Sequence, residues 1–188
     1  MMKLDNMWLT ERDKMKLFID STQKIFVAAL LNDNNTIEYK VITETKYKVE
    51  EIINFFDKLS KLDSIEEIYI NLGPGSFTGS RIALLYVRTL SQLNSNINIF
   101  TTNSYELLDK QNHSNAKSIF YINATKTKSY SLSKNKVEII DKVFCESQIN
   151  YEEILNNFSF YQSIFVLSSF KNIQPIYASN PQIGEVKK

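Results

Sequence analysis

The stretch that most constrains this chain is a turn-forming heptad near its middle. It consists of Gly73, Pro74, Gly75, Ser76, Phe77, Thr78 and Gly79, and it contains three of the four glycines and one of the three prolines of the sequence. An alternating apolar run at 68–72 precedes it, and residues 81–93 after it contain no helix breaker. Glycine permits φ angles that a Cβ forbids, and proline fixes φ. The heptad therefore predicts a tight turn from a strand into a helix, with Ser76 or Thr78 as the helix cap.

The helix predicted after the heptad has two apolar sides. The side expected to face the core holds Ile82, Ala83, Tyr86, Val87, Leu90 and Leu93. The opposite side holds Phe77, Arg81, Leu84, Leu85 and Arg88. An apolar patch flanked by arginines indicates a surface that binds a partner, although leucines scattered over a solvated surface are also common. The pattern alone leaves both interpretations open.

Apolar periodicity predicts the remaining elements. In the first half they are strands at 16–19, 25–31, 37–43, 67–72 and 97–100 and a helix at 48–62, in the order β-β-β-α-β-α-β. In the second half, strands at 119–122, 129–132, 137–140 and 164–167 and a short helix at 151–158 repeat that order in eroded form, without a counterpart of the helix after the heptad. The helix at 48–62 has an apolar arc, widened by Phe55 and Leu59, that exceeds what one contact with a sheet uses.

Composition excludes several classes of protein. A net charge of +1 over 188 residues provides no overall basic field for binding nucleic acid. The lone cysteine, Cys145, excludes an internal disulfide and favours a reducing compartment. No apolar run approaches the roughly 18 residues of a membrane span, and residues 1–14 lack the hydrophobic centre of a signal peptide. We therefore expect a cytoplasmic protein with no membrane partner.

Few residues offer catalytic or metal-binding chemistry. The heptad fits neither a dinucleotide fingerprint, because its third glycine comes one position late, nor a P-loop, because no lysine follows Gly79. Contact between a phosphate and the backbone amides at 75–79 stays open. The single histidine, His113, and Cys145 lie in different segments, so we expect neither a metal site nor a catalytic triad. Asp20, after the first strand, either holds a cation or forms an Asx turn.

The heptad followed by Arg81 and Ile82 resembles the signature of the TsaB (YeaZ) family. Weaker matches to the same family lie at 17–22, 102–107 and 174–177, so the resemblance extends from about residue 15 to the C-terminus. The chain departs from the family pattern at Lys48-Val49, where His-Ser is usual, and at Asn123-Ala124-Thr125, where Asp-Ala-Arg is usual. These departures weaken any ligand chemistry and leave the heptad intact.

The resemblance implies a mixed α/β fold of the actin-like ATPase superfamily, with two RNase H-like lobes and a reduced second lobe. The first lobe is expected at 15–102, and the second lobe with a C-terminal tail at 103–188. Residues 1–14 match nothing and are expected to be an upstream extension.

The resemblance also implies a non-catalytic subunit of the bacterial tRNA threonylcarbamoyladenosine synthase. Such proteins are similar in fold to TsaD, which transfers threonylcarbamoyl to the adenosine beside the anticodon, and they bind TsaD together with an ATPase subunit, TsaE. ATP and metal are then expected on TsaD and TsaE, no cofactor is expected on this chain, and tRNA is reached only through the complex. The residues expected to bind the partner are Phe55, Leu59, Phe77, Arg81, Leu84, Leu85 and Arg88. Without TsaD, a homodimer through the same helices is expected.

Two other functions stay open. One is an enzyme in its own right, either an actin-like phosphotransferase or a glycoprotease-like enzyme, for which the metal ligands and the triad are missing. The other is a homodimeric scaffold with an unrelated role. Copurification with the TsaD homologue distinguishes the subunit from the scaffold, and bound metal with ATP turnover would indicate the enzyme.

Overall fold

The computed structural model describes residues 14–59, 62–113 and 118–177, so the extension predicted at 1–14 lies outside the described residues except for Lys14. The strands are β1 (Met15–Asp20), β2 (Ile25–Asn32), β3 (Ile37–Glu44), β4 (Ile65–Asn71), β5 (Asn98–Thr102), β6 (Phe120–Asn123), β7 (Lys128–Ser133), β8 (Lys136–Asp141) and β9 (Val166–Ser168). The helices are α1 (Lys48–Asp57), α2 (Phe77–Leu93), α3 (Ser104–Gln111), α4 (Tyr151–Asn156) and α5 (Phe158–Tyr161), with short 3-10 turns at Leu62–Ser64 and Gln162–Ile164. The order predicted for the first half is confirmed.

A six-stranded sheet in the order β3-β2-β1-β4-β5-β9 forms the centre of the molecule. The strands β1, β4 and β5 run parallel because helices connect them, whereas β2, β3 and β9 join antiparallel. The edge strand β9 comes from the second half of the chain and pairs with β5, with Ile99 opposite Ser168. A separate antiparallel sheet, β6-β7-β8, completes a mixed α/β fold, as the resemblance implied.

Both faces of the central sheet are buried, and the alternation along β1 shows how. Leu17 and Ile19 belong to the apolar cluster shared with α1 and α2, whereas Phe18 belongs to the cluster on the opposite face. That second cluster contains α3, α4, α5 and the small sheet, and in it the rings of Phe18 and Phe158 meet edge to face with centroids 5.9 Å apart. A strand covered on both faces needs consecutive apolar residues, which β1 and β2 supply.

The helices differ from the sequence prediction at three places. The first helix, α1, ends at Asp57, where the chain turns: the N–H of Lys58 donates to the carbonyl of Phe55 and the N–H of Leu59 donates to that of Phe56. The helix predicted at 151–158 is divided into α4 and α5. Periodicity does not predict the eight-residue helix α3. Its N-terminus is capped by the side chain of Asn103, which accepts from the N–H of Glu106 at 2.9 Å. Within the described ranges, no helix has the length and apolar character needed to span a bilayer.

Burial corrects the predicted faces of α2. Ala83 and Val87 are buried as expected, but Leu93, predicted to lie in the core, is 81% exposed in the last turn. Leu84, predicted to face outward, is only 4% exposed, because it packs in the same cluster as Ile173 from the C-terminal segment. The prediction was wrong for Leu84 because a segment distant in sequence covers that side of the helix.

The predicted outward edge of α1 needs a similar correction. Phe55 is buried, and its ring stacks on that of Tyr39 in β3 with centroids 5.3 Å apart. Leu59, which follows the helix, is half-buried. Phe55 therefore belongs to the core and presents no side chain to a partner.

Leu84→Asp is expected to unfold the chain, because a buried carboxylate without a partner costs several kcal/mol, which is comparable to the whole stability of a domain. The matched control is Leu85→Asp, one residue further along α2, where the side chain is 63% exposed. The control should keep the circular dichroism spectrum and melting temperature of the parent. Equal melting temperatures for the two variants would contradict the burial of Leu84.

Candidate functional site: the glycine turn and the adjoining helices

The heptad forms the predicted turn between β4 and α2. Gly73 has a φ of +101°, in the region where L side chains are strained, and the peptide bond that joins it to Pro74 is cis. Ser76 caps α2, since its Oγ accepts a hydrogen bond from the N–H of Gly79 at 3.2 Å. Of the two caps that the sequence allowed, the structure therefore uses Ser76.

The other two glycines let the heptad touch the loop between β1 and β2. A Cβ on Gly75 would lie 2.2 Å from the carbonyl oxygen of Thr22, and a Cβ on Gly79 would lie 1.8 Å from that of Ser21. Real Cβ atoms do not approach an oxygen so closely. The N–H of Ser76 also donates to the carbonyl of Thr22. The heptad, which follows β4, therefore packs directly against the loop that follows β1.

A buried polar centre lies beneath this turn. Asp20 accepts hydrogen bonds from the N–H of Thr22 at 2.7 Å, from Nδ2 of Asn71 at 2.8 Å and from the hydroxyl of Tyr151 at 2.8 Å. The bond from Thr22 gives Asp20 the Asx turn that was one of its two predicted roles. Burial raises the pKa of Asp20, and the hydrogen bonds from Asn71, Thr22 and Tyr151 oppose that rise. Asn71 also links the centre to the heptad, since its Oδ1 accepts from the N–H of Gly73 at 2.9 Å.

Sequence reasoning missed three members of this centre, Asn71, Ser104 and Tyr151. Asn71 carries a usable signal, because it is a polar residue at the end of an apolar strand, two positions before the heptad begins. Ser104 donates to the carbonyl of Pro74 at 2.9 Å, and Tyr151 reaches Asp20 from the other half of the chain. No local pattern indicates either contact.

Lys48 is a buried cation next to the same loop. It stands where the family usually has His-Ser, and its Nζ donates to the carbonyls of Ser21 and Gln23. Burial lowers the pKa of Lys48 to about 8, and the nearby charge of Asp20 opposes that shift. The side chain thereby attaches the start of α1 to the loop that the heptad touches.

A cleft of about 550 Å³ opens between this loop and the second half of the chain, with Gln23, Lys48, the first turn of α2 and Asn123 among its walls. Asp20 is fully buried and is not among the residues that line this cleft. Donors from the chain occupy both carboxylate oxygens of Asp20, and Lys48 already supplies a positive charge near it. The part of the chain that the structure describes contains no group of three His, Cys, Asp or Glu side chains that could hold a metal.

The two helices of this half present exposed apolar side chains, which we call the helical face. It consists of Val49 and Ile53 of α1 and Phe77 and Leu85 of α2. The helices contact each other through Phe56 and Tyr86, whose rings stack with centroids 5.5 Å apart. The helical face therefore spans two elements that are packed together.

The structure divides the seven residues predicted to bind a partner into three groups. Phe77, Arg81 and Leu85 are exposed, Leu59 and Arg88 are half-buried, and Phe55 and Leu84 are buried. Sequence reasoning missed Val49 and Ile53 as surface residues, because helical periodicity assigns both to the core side of α1. On α2 the surface therefore keeps three of its predicted residues, whereas on α1 the exposed apolar residues lie nearer the start of the helix than predicted.

No protein-family model matches the chain. The chain is similar to two uncharacterized proteins of mycoplasmas. The MG208 homolog of Mycoplasma pneumoniae is 29% identical over 102 residues, which are 50% of this chain and 52% of that protein. MG208 of Mycoplasma genitalium is 24% identical over 190 residues, covering 89% of this chain and 96% of that protein. The first of these matches spans about half the length of the relative.

Among solved structures, the chain is similar to an uncharacterized protein with similarity to peptidase YeaZ from Pseudomonas aeruginosa, with a TM-score of 0.58, 14% identity and coverage of 88% of this chain and 100% of the other. YeaZ from Pseudomonas aeruginosa aligns with a TM-score of 0.49 at 17% identity, over 73% of this chain and 64% of the other. The chain therefore has an actin-like ATPase type of fold, and within that class it has the fold of a YeaZ-like protein. This likeness confirms, at the level of the fold, the resemblance that the heptad indicated.

Gly79→Val is expected to lower the free energy of unfolding by on the order of 1–3 kcal/mol, because its Cβ would push the heptad away from the carbonyl of Ser21. Thr78→Val is the matched control, since this neighbouring position is exposed. Urea denaturation followed by circular dichroism measures both. An unchanged unfolding midpoint for the Gly79 variant would show that the close contact is not needed for stability.

The stability contribution of Lys48 should depend on pH. Its pKa is about 8 in the folded chain against 10.5 for an unperturbed lysine, so between these values the unfolded state binds more protons. Stability from this group therefore rises as the pH increases from about 8 to about 10. Relative to Lys48→Met, the parent chain should gain stability over that range, as measured by urea denaturation of both proteins. A constant difference between them would contradict the lowered pKa.

Proposed function

We propose that this chain is a non-catalytic, cytoplasmic subunit of a tRNA threonylcarbamoyladenosine synthase and acts with TsaD and TsaE homologues. It binds the TsaD homologue through the helical face, and TsaD transfers threonylcarbamoyl to the adenosine beside the anticodon of tRNA. ATP and metal belong to the TsaD and TsaE homologues, and tRNA is reached through the complex. The observation that carries the proposal is an exposed apolar surface directly beside the TsaB-type heptad, in the fold of a YeaZ-like protein.

The energetics of the helical face support a protein partner. Burying a leucine or phenylalanine side chain contributes about 1.5–3 kcal/mol, and interface energy is concentrated in a few central residues. Leu85 and Phe77 are 63% and 43% exposed, so much of that free energy is unused in the isolated chain. Four exposed apolar side chains on two helices that pack together are a feature typical of a protein interaction surface.

The polar centre supports a non-catalytic role. The carboxylate of Asp20 is fully buried and accepts bonds from three donors of the chain, so it is not exposed to a substrate or a cation in the cleft. His113 packs against the ring of Phe160 and is not among the residues that line the cleft. The solved relative is described as similar to a peptidase, but here the hydroxyl groups of Thr22 and Ser76 at the cleft have no neighbouring histidine among its lining residues. These features favour the subunit over an enzyme acting alone.

Leu85→Asp and Ile53→Asp should each abolish binding to the TsaD homologue, because a carboxylate placed within a desolvated apolar contact has no partner there. The same variants should fail to support threonylcarbamoyl transfer when they replace the parent in a mixture with the TsaD and TsaE homologues and tRNA. Titration calorimetry measures binding, and mass spectrometry of digested tRNA measures the modification.

Ile139→Asp is the matched control, because Ile139 lies on β8 and is similarly exposed but remote in sequence from the helical face. It should bind and function like the parent. The proposal is wrong if the parent chain does not bind the TsaD homologue or is dispensable in the mixture. If the two helical variants only dissociate a homodimer of this chain, the unrelated scaffold becomes the better description.

A further inference from the structure

Arg81 is an exposed arginine whose side chain is held in one position. Its guanidinium carbon lies 3.8 Å from the ring centroid of Phe77, one turn earlier in α2, and 5.7 Å from that of Tyr177. Its Nε donates to the hydroxyl of Tyr177 at 2.9 Å. An exposed arginine normally samples many rotamers, and these contacts with two aromatic side chains restrict it before any partner arrives.

The position of Tyr177 is itself fixed by the C-terminal segment. The N–H of Ile176 donates to the carbonyl of Leu72 at 2.8 Å, and Ile173 is buried. Arg88 donates from Nη2 to the carbonyl of Ile173 at 2.6 Å. The segment is therefore attached to the end of β4 and to α2 on either side of Arg81, and Tyr177 is held where it can orient that arginine.

The two terminal nitrogens of the Arg81 guanidinium, Nη1 and Nη2, have no hydrogen-bond partner among the residues that the structure describes. Only Nε makes a hydrogen bond, so the four N–H groups on Nη1 and Nη2 are available. Lys14, Lys40, Lys128, Lys136 and Lys142 all form ion pairs with carboxylates of the same chain. A planar fork of two N–H donors matches the two oxygens of a carboxylate, and holding it in advance reduces the entropy lost on binding.

We infer that Arg81 is the receptor for an aspartate or glutamate side chain of the protein partner, at the end of the helical face where Phe77 and Leu85 lie. The inference rests on the proposed function. A protein carboxylate suits the surroundings better than a nucleic-acid phosphate, because the exposed neighbours of Arg81 on α2 include the apolar side chains of Phe77 and Leu85. The next cation along the helix, Arg88, is half-buried and bonded to the backbone, so no cluster of free cations follows a phosphate chain.

Arg81→Ala should weaken binding to the TsaD homologue by roughly 10- to 100-fold, since it leaves the partner's carboxylate unpaired. Arg81→Lys should lose most of the same affinity, because an ammonium cannot form the two parallel bonds. Tyr177→Phe keeps the ring and removes only the acceptor for Nε, so it should weaken binding by a smaller, several-fold factor. Lys134→Ala, an exposed lysine in the β7–β8 turn, is the charge-matched control and should bind like the parent.

Titration calorimetry at low and high salt, with circular dichroism melts of every variant, tests these expectations. The inference is supported if the order of loss is Arg81→Ala, Arg81→Lys and Tyr177→Phe, with unchanged melting temperatures and a salt dependence that disappears in Arg81→Ala. It is overturned, with the proposed function intact, if Leu85→Asp abolishes binding while Arg81→Ala binds normally. A variant that binds TsaD normally but weakens contact with tRNA in the complex would also overturn it and would assign Arg81 to phosphate. Absence of TsaD binding by the parent would instead remove the proposed function on which the inference rests.

Discussion

The heptad packs so closely against the loop after β1 that only glycine fits at two of its positions. A Cβ at position 79 would lie 1.8 Å from the carbonyl oxygen of Ser21, and one at position 75 would lie 2.2 Å from that of Thr22. This contact positions the heptad, and with it the start of α2, against the loop after β1. It sets the point at which α2 begins, and the start of α2 sets which of its side chains reach the sheet and which reach solvent. The same loop receives Lys48 from α1, so both helices of the exposed apolar surface are positioned by one short segment of backbone.

Beneath that contact, the chain satisfies its own buried charges. Asp20 is surrounded by donors from three separate segments, and Lys48 by backbone carbonyls. A buried ion is tolerated only when hydrogen bonds and a nearby opposite charge replace the water that it lost. In this molecule the replacements are protein groups, so Asp20 and Lys48 are both part of the structural core. The hydroxyl of Tyr151 brings the second half of the chain into that core.

Features that depend on neighbours in sequence could be predicted, and those that depend on distant segments could not. The heptad, its helix cap and the order of the first seven elements follow from glycine, serine and apolar spacing, which act locally. Leu84 was misplaced because it shares a core cluster with Ile173, which is far away in the chain. Phe55 was misplaced because its ring stacks on that of Tyr39 in another element. Leu93 was misplaced because periodicity cannot show where a helix extends past the elements that cover it. The orientation of Arg81 likewise depends on Tyr177, which no local pattern connects to it.

The strand β9 has a consequence for how the protein is made. It completes the edge of the central sheet, yet it follows the small sheet and α4 and α5 in the chain. While the polypeptide leaves the ribosome, the outer edge of β5 therefore stays unpaired until residues 166–168 emerge. An open edge offers N–H and C=O groups to other nascent chains, and pairing between distant strands is slow to form. When β9 pairs with β5, the sheet edge at that side becomes a strand of three residues in place of one of five, and a shorter edge offers fewer unpaired groups to another chain.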